Sequence, residues 1–143
     1  MALLKFKGQD AHTIGDLPKV GQTFKFKSLV KSNLTETNSE LYSGKRKVLN
    51  IFPSIDTGTC AASVRQFNKL ATDLKNTVVL NISMDLPFAQ TRFCGAEGIQ
   101  NCESLSGFRS HFGNETGLTL KDTPLMGLLA RCVMVLDETD KVL

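Results

Sequence analysis

The stretch Phe52-Pro53-Ser54-Ile55-Asp56-Thr57-Gly58-Thr59-Cys60-Ala61-Ala62-Ser63-Val64-Arg65 constrains this chain more than any other. The apolar run before it, Val48 to Phe52, reads as a buried strand. After it, Val64, Phe67, Leu70, Ala71 and Leu74 recur with helical period. Pro53, Gly58 and the small polar residues between them supply the turn. A strand–turn–helix junction of this kind requires a sheet with helices packed on it, and it puts Cys60 in the first helical turn. A thiol there meets unpaired backbone N–H groups and the positive end of the helix dipole. Both favour the nucleophilic thiolate. The residues alone leave Cys60 open between a reactive thiol and a small buried hydrophobe. Thr57 either directs its hydroxyl toward the sulfur or caps the helix. Gly58 leaves room for a ligand to approach the backbone.

The remaining chain is consistent with that frame. Residues 2–7 read as a strand, Gly8 to Asp10 as a turn, and Ala11 to Ile14 as the returning partner. Phe24 to Val30 is strand-like, and Lys31 to Glu40 is a polar surface loop or short edge strand. Strong strands are expected over 47–52, Thr77 to Met84 and Leu128 to Leu136. The helix after Cys60 is expected from about Thr59 to Lys75, with Asn76 as its stop. Pro87 opens a short helix, Phe88 to Cys94, whose end Gly95 and Gly98 flank. A short strand is expected at Glu103 to Leu105, and a helical turn at Phe108 to Phe112. The alternation predicts an α/β class with a parallel component and an antiparallel last strand. Glu138 to Lys141 reads as a hairpin turn, which normally leads into a returning strand. The expectation is a single domain over residues 1–143, truncated at its C-terminal end.

Composition removes several function classes. At 143 residues the chain can bury one sizeable core. No apolar run approaches the roughly 18 residues of a membrane span. Residues 1–8 lack the apolar core of a secretory signal, so a reducing, cytoplasmic setting is the expectation. The net charge of +3 is scattered, and Lys45-Arg46-Lys47 reads as a solvated turn entering a strand rather than a nucleic-acid patch. The four cysteines, Cys60, Cys94, Cys102 and Cys132, form no Cys-x-x-Cys pair, and His12 and His111 stand alone. A zinc site is not expected, no other cofactor is implied, and no local signature supports a Cys–His protease pairing.

Three motifs now carry a resemblance. Pro53-x-x-x-Thr57-x-x-Cys60 resembles the active-site signature of the peroxiredoxins. The full 52–65 stretch, residues 85–98 and residues 123–131 resemble, in the same order, the bacterial thiol peroxidases, which are atypical two-cysteine peroxiredoxins. The resemblance implies a thioredoxin-like fold with an N-terminal β-hairpin, continuing in relatives with a C-terminal strand and helix beyond Leu143. It also implies a homodimer. It implies peroxidase activity toward hydrogen peroxide and alkyl or lipid hydroperoxides, with thioredoxin as reductant. Cys60 corresponds to the peroxidatic cysteine and Cys94 to the resolving cysteine. Thr57 corresponds to the threonine that bonds thiolate and peroxide, Pro53 to the proline that shields the pocket, and Arg131 to the arginine that stabilises the thiolate and orients peroxide. Within its apolar strand, the charge of Arg131 needs a partner or a function. Cys132 is expected to pack as a small hydrophobe and Cys102 to sit partly exposed in a loop without a catalytic role, a spare resolving thiol being the minor alternative. The apolar residues Leu86, Pro87, Phe88 and Phe93 either line the substrate entrance or simply pack their helix. A redox sensor or thiol-transfer protein on the same fold is the competing function, and a chaperone-like module is a more distant one.

Overall fold

Three parallel strands at the centre of one sheet set the position of everything else. In the computed structural model, which describes residues 2–143, they are β5 (Arg46–Ile51), β6 (Thr77–Ser83) and β7 (Glu103–Ser106). Met1, the first residue of the N-terminal stretch read above, lies outside the described residues. A separate hairpin pairs β1 (Leu3–Phe6) with β2 (Gln9–His12). Beyond β7 the sheet continues antiparallel with β3 (Leu29–Lys31) and β4 (Glu36–Thr37). On the other side β8 (Cys132–Leu136) runs antiparallel to β5, giving the order β4-β3-β7-β6-β5-β8. The helices are α1 (Gly58–Ala71), α2 (Pro87–Glu97) and the short α3 (Phe112–Thr116), with a 3-10 turn at Ser39–Tyr42. This is the thioredoxin-like arrangement implied by the resemblance.

Strands β5 and β6 read as largely apolar runs because both faces are covered, whereas β7 contributes one buried apolar residue, Leu105. Leu49, Ile51, Leu80, Ile82 and Leu105 are fully buried. Each such side chain contributes roughly 1.5–3 kcal/mol relative to exposure. Among the described residues, no helix is long and apolar enough to cross a membrane.

Several boundaries differ from expectation, each for a local reason. The hairpin turns at Lys7-Gly8 rather than Gly8 to Asp10, because both residues take positive φ (50° and 81°), as a two-residue primed turn requires. Phe24 and Phe26 are buried core residues, but the strand begins only at Leu29. Helix α1 stops at Ala71, four residues before Lys75. The Asp73 and Leu74 N–H groups bond back three residues to Leu70 and Ala71, tightening the chain out of the helix. Asn76 then turns the chain at φ 49°. Of the expected helical face only Val64 is fully buried, and Leu70 and Leu74 are exposed. Gly95 lies inside α2, which continues to Glu97 and ends on Gly98 in the left-handed region. The helical turn expected at Phe108 to Phe112 is displaced to α3.

The strand expected from Leu128 starts at Cys132, and Arg131 lies just outside it. The cause is an antiparallel bridge between Thr119 and Leu129, which draws residues 128–131 toward the 118–120 segment. Lys47 is not solvated: it is fully buried, with Nζ 2.5 Å from Asp140 Oδ1, while Lys45 and Arg46 are exposed. The Asp137–Lys141 turn reverses the chain as expected, and Val142 pairs with Leu136.

Candidate active site

The parallel pairing of β5 with β6 brings the loops that follow both strands to the same edge of the sheet. The antiparallel register of β8 sets Cys132 opposite Ile51, so Arg131 arrives at that edge as well. Three distant segments, 52–60, 84–86 and the approach to β8, thus converge by topology.

Cys60 is the third residue of α1 and is fully buried from solvent. Thr57 is the N-cap: its backbone is extended (φ −89°, ψ 142°) and its Oγ1 accepts from the Cys60 N–H at 3.4 Å. The Thr57 hydroxyl donates to the Ser54 carbonyl at 3.1 Å. Of the two uses open to this side chain, capping is the one adopted here. Arg131 Nη2 lies 3.0 Å from Cys60 Sγ. The guanidinium is otherwise exposed, and among the described residues no carboxylate pairs with it. The guanidinium thus donates to the sulfur and leaves its remaining donors free for an oxygen bound in the cavity.

Pro53, Thr57, Cys60 and Arg131 line one cavity of about 520 Å³, within the range of small-molecule sites. Its other walls are mostly apolar. Leu4 and Phe6 come from the N-terminal hairpin, and Leu120, Leu125 and Ala130 from the segment leading to β8. Leu86, Pro87, Phe88 and Phe93, considered above for the entrance, are not among the lining residues. Leu86 and Phe88 are exposed, Pro87 is buried as the first residue of α2, and Phe93 packs against the cluster of Phe52, Ile55, Cys60 and Val64. Neither histidine lines the cavity. His12 Nδ1 is 2.8 Å from Asp122 Oδ2, and that bond, together with the His12 N–H, holds the Asp122 carboxyl below its ordinary range.

Sequence reasoning assigned no role to Asp85. Its carboxylate accepts from the Ser54 hydroxyl, the Ile55 N–H and the Ser83 hydroxyl, each at 2.7 Å. It therefore clamps the turn carrying Cys60 to the end of β6, one residue before Leu86, the N-cap of α2. Its place within the 85–98 motif was the available signal, but the motif does not say what the carboxylate bonds.

Cys94 stands apart. It lies in α2 and lines a second cavity, with its Sγ 3.5 Å from Ser104 Oγ. All four cysteines are free thiols. Two exposed ion pairs hold α2 down: Arg92 to Asp56 at 3.0 Å, and Arg65 to Glu97 at 2.8 Å. Of the residues in α2 only Pro87 and Gln90 are fully buried. Cys132 is half-buried against the main core, and burial pushes its thiol up.

Comparison with known proteins bears on this geometry. The redoxin family model matches residues 19–143. The chain is 53% identical over 142 residues to a thiol peroxidase of Corynebacterium glutamicum, covering 99% of this chain and 86% of that protein. A peroxiredoxin-like protein from Aquifex aeolicus superposes with a TM-score of 0.88 at 32% identity, covering 98% of this chain and 82% of that one. A thiol peroxidase from Chromobacterium violaceum has a TM-score of 0.89 at 21% identity over the same shares, a likeness of fold alone. Sequence identity across nearly the whole chain, on this fold, therefore establishes that the chain belongs to the redoxin family and, within it, to the thiol peroxidases of the peroxiredoxin type.

Proposed function

We propose that this thiol peroxidase reduces hydrogen peroxide and alkyl or lipid hydroperoxides at Cys60 and resolves the product with Cys94. The observation that carries this reading is the 3.0 Å approach of Arg131 to Cys60 Sγ at the head of α1, in a largely apolar cavity. The Cys60 thiolate attacks one peroxide oxygen. The O–O bond breaks, Cys60 becomes a sulfenic acid, and water or an alcohol leaves. The Arg131 guanidinium and the first-turn N–H groups stabilise the charge that develops. The Thr57 hydroxyl reaches the peroxide by turning from the Ser54 carbonyl, and Pro53 excludes water. The apolar walls suit an organic hydroperoxide as well as hydrogen peroxide.

Cys94 then condenses with the sulfenic acid, losing water and forming an intrachain disulfide. A disulfide requires Cα atoms within about 7 Å, whereas the two thiols line different cavities. Phe93, not Cys94, packs against the Cys60 cluster. In this reading the first turn of α1 and the 88–95 segment open locally to bring the two sulfurs together. The sparse burial of α2 and its exposed ion pairs make that opening inexpensive. Thioredoxin restores the dithiol through a mixed disulfide. The same reading includes a homodimer, for which the exposed Leu86 and Phe88 offer apolar surface, and a reducing, cytoplasmic setting.

Intact-mass analysis after one equivalent of peroxide tests the proposal. The expected result is a loss of two hydrogens mapped to Cys60 and Cys94, with faster amide exchange over residues 87–97 than in the reduced chain. A stable sulfenic acid that Cys94 leaves untouched would refute the resolving role.

Asp85 is a positioning residue in this scheme. Asp85→Asn keeps the shape but loses charge and one acceptor at a carboxylate with three donors. We expect sulfenic acid formation to slow by about tenfold, from ~1.4 kcal/mol of lost alignment. The pH profile should keep its shape, because the group acts through the turn. Stopped-flow rates within about twofold of the unaltered chain would count against the clamp.

A further inference from the structure

We propose that Cys102 is a third redox thiol, which takes the disulfide over from Cys60 once Cys94 has resolved the sulfenic acid. The Cys102 sulfur attacks Cys94 Sγ. The Cys94–Cys102 bond forms as the Cys60–Cys94 bond breaks, Cys60 leaves with the electron pair as thiolate, and the Cys102 proton passes to solvent. No further oxidant is consumed. The inference rests on the Cys60–Cys94 disulfide proposed above.

Three observations carry it. First, Cys94 and Cys102 line one cavity of about 640 Å³, and Cys60 lines the other. Cys102 is held in place from α1: Asn68 Oδ1 accepts from the Gln100 and Asn101 N–H groups and lies 3.8 Å from Cys102 Sγ. Second, the cavity wall disfavours negative charge. Gln90 lines it and is 2% exposed. Its Nε2 donates to Ser83 Oγ and the Leu105 carbonyl, and its Oε1 has no partner among the described residues. Ser104 Oγ lies against Cys94, and Glu103, the charged residue among those lining the cavity, has its carboxylate 3.4 Å from Lys31 Nζ. No arginine or lysine is among them. Third, α2 as seen buries Pro87 and Gln90 and makes two ion pairs, which the opening needed for a Cys60–Cys94 bond would strain. Handing Cys94 to Cys102 lets the helix close again.

Charge and packing thus point the same way. The exchange leaves the thiolate beside Arg131 and a neutral disulfide in a cavity whose nearby cation, Lys31, is already paired with Glu103. Burial, followed by the neighbouring Cys94, pushes the Cys102 thiol up, with the Asn81 side chain opposing. Cys102 shares the cavity of Cys94 and not that of Cys60, so it meets Cys94 after resolution rather than competing for the sulfenic acid.

The test oxidises the reduced full chain with one equivalent of hydrogen peroxide without air, quenches in acid at intervals, alkylates and maps the disulfides. The expected course is Cys60–Cys94 first, then Cys94–Cys102 as more than about half of the disulfide at equilibrium, with Cys60 alkylated. Cys102→Ser should stop at Cys60–Cys94 and still turn over peroxide with thioredoxin. Cys60→Ser should form neither bond on that timescale. An unaltered chain that remains wholly Cys60–Cys94 overturns the transfer and leaves the peroxidase reading standing. Absence of Cys60–Cys94 in the Cys102→Ser chain overturns the resolving role of Cys94, on which the transfer rests. Cys94–Cys102 formed in Cys60→Ser at the unaltered rate means peroxide oxidises the pair directly, which also overturns the transfer.

Discussion

Arg131→Met is expected to slow peroxide reduction by about 10²–10³-fold, a loss of ~2.7–4 kcal/mol of transition-state stabilisation. The guanidinium is the charged donor at Cys60 Sγ, 3.0 Å away. As the O–O bond breaks, negative charge spreads over sulfur and both oxygens inside an apolar cavity, where a fixed cation is worth more than in water. Methionine keeps an unbranched apolar stem and removes the guanidinium and its charge. Arg131 is exposed and lies outside β8, so thermal stability should change little, by about 0.5 kcal/mol or less. Single-turnover kinetics on the reduced chain separate the two effects. Near-normal rates would mean that the contact is only structural.

Asp140→Asn is expected to destabilise the fold by about 3 kcal/mol, lowering the melting temperature on the order of 10 °C. Lys47 has no solvent-exposed side-chain surface, and its ammonium meets Asp140 at 2.5 Å and the Lys45 carbonyl at 3.1 Å. Removing the carboxylate charge strands a buried cation, which costs far more than the pair itself gains. Asparagine is the informative replacement because Asp140 sits at φ 68°, which asparagine tolerates. The pair joins the start of β5 to the 137–141 turn, and the Asp140 carbonyl also accepts from the Phe24 N–H. The double variant Lys47→Met, Asp140→Asn should recover most of the loss, since no charge is then left buried. Melting curves of all three chains decide it, and a single variant as stable as the parent would show that water already solvates Lys47.

Much of this molecule was legible before any coordinates. Strands β5 and β6 came from apolar runs, because a strand buried on both faces needs no alternation. Cys60 at a helix start followed from Pro53, Thr57 and Gly58, whose backbone preferences are local. Other features depended on distant residues. Lys45-Arg46-Lys47 looks uniformly solvated until Asp140, 93 positions after Lys47, is folded against it. The end of β8 nearest the site was misjudged because Leu128 to Ala130 is apolar enough for a strand, yet bonds to the 118–120 segment instead. The walls of the cavity come from the N-terminal hairpin, a contact no local pattern records.

By itself, the sequence determined the strand–turn–helix unit, the position of Cys60 within it and, through three motifs, the family. These depend on dihedral preference, hydrophobic period and ordered resemblance, all carried by neighbours along the chain. Only the tertiary structure decided what surrounds the sulfur. The antiparallel register that sets Cys132 opposite Ile51 delivers Arg131 to Cys60, and the parallel pairing of β5 with β6 delivers Asp85 to the same turn. The facing of α2 assigned Cys94 to the cavity of Cys102 rather than that of Cys60. Register and facing follow from pairing across the whole sheet, where one residue of slip exchanges inside for outside, and no short stretch of sequence encodes that choice.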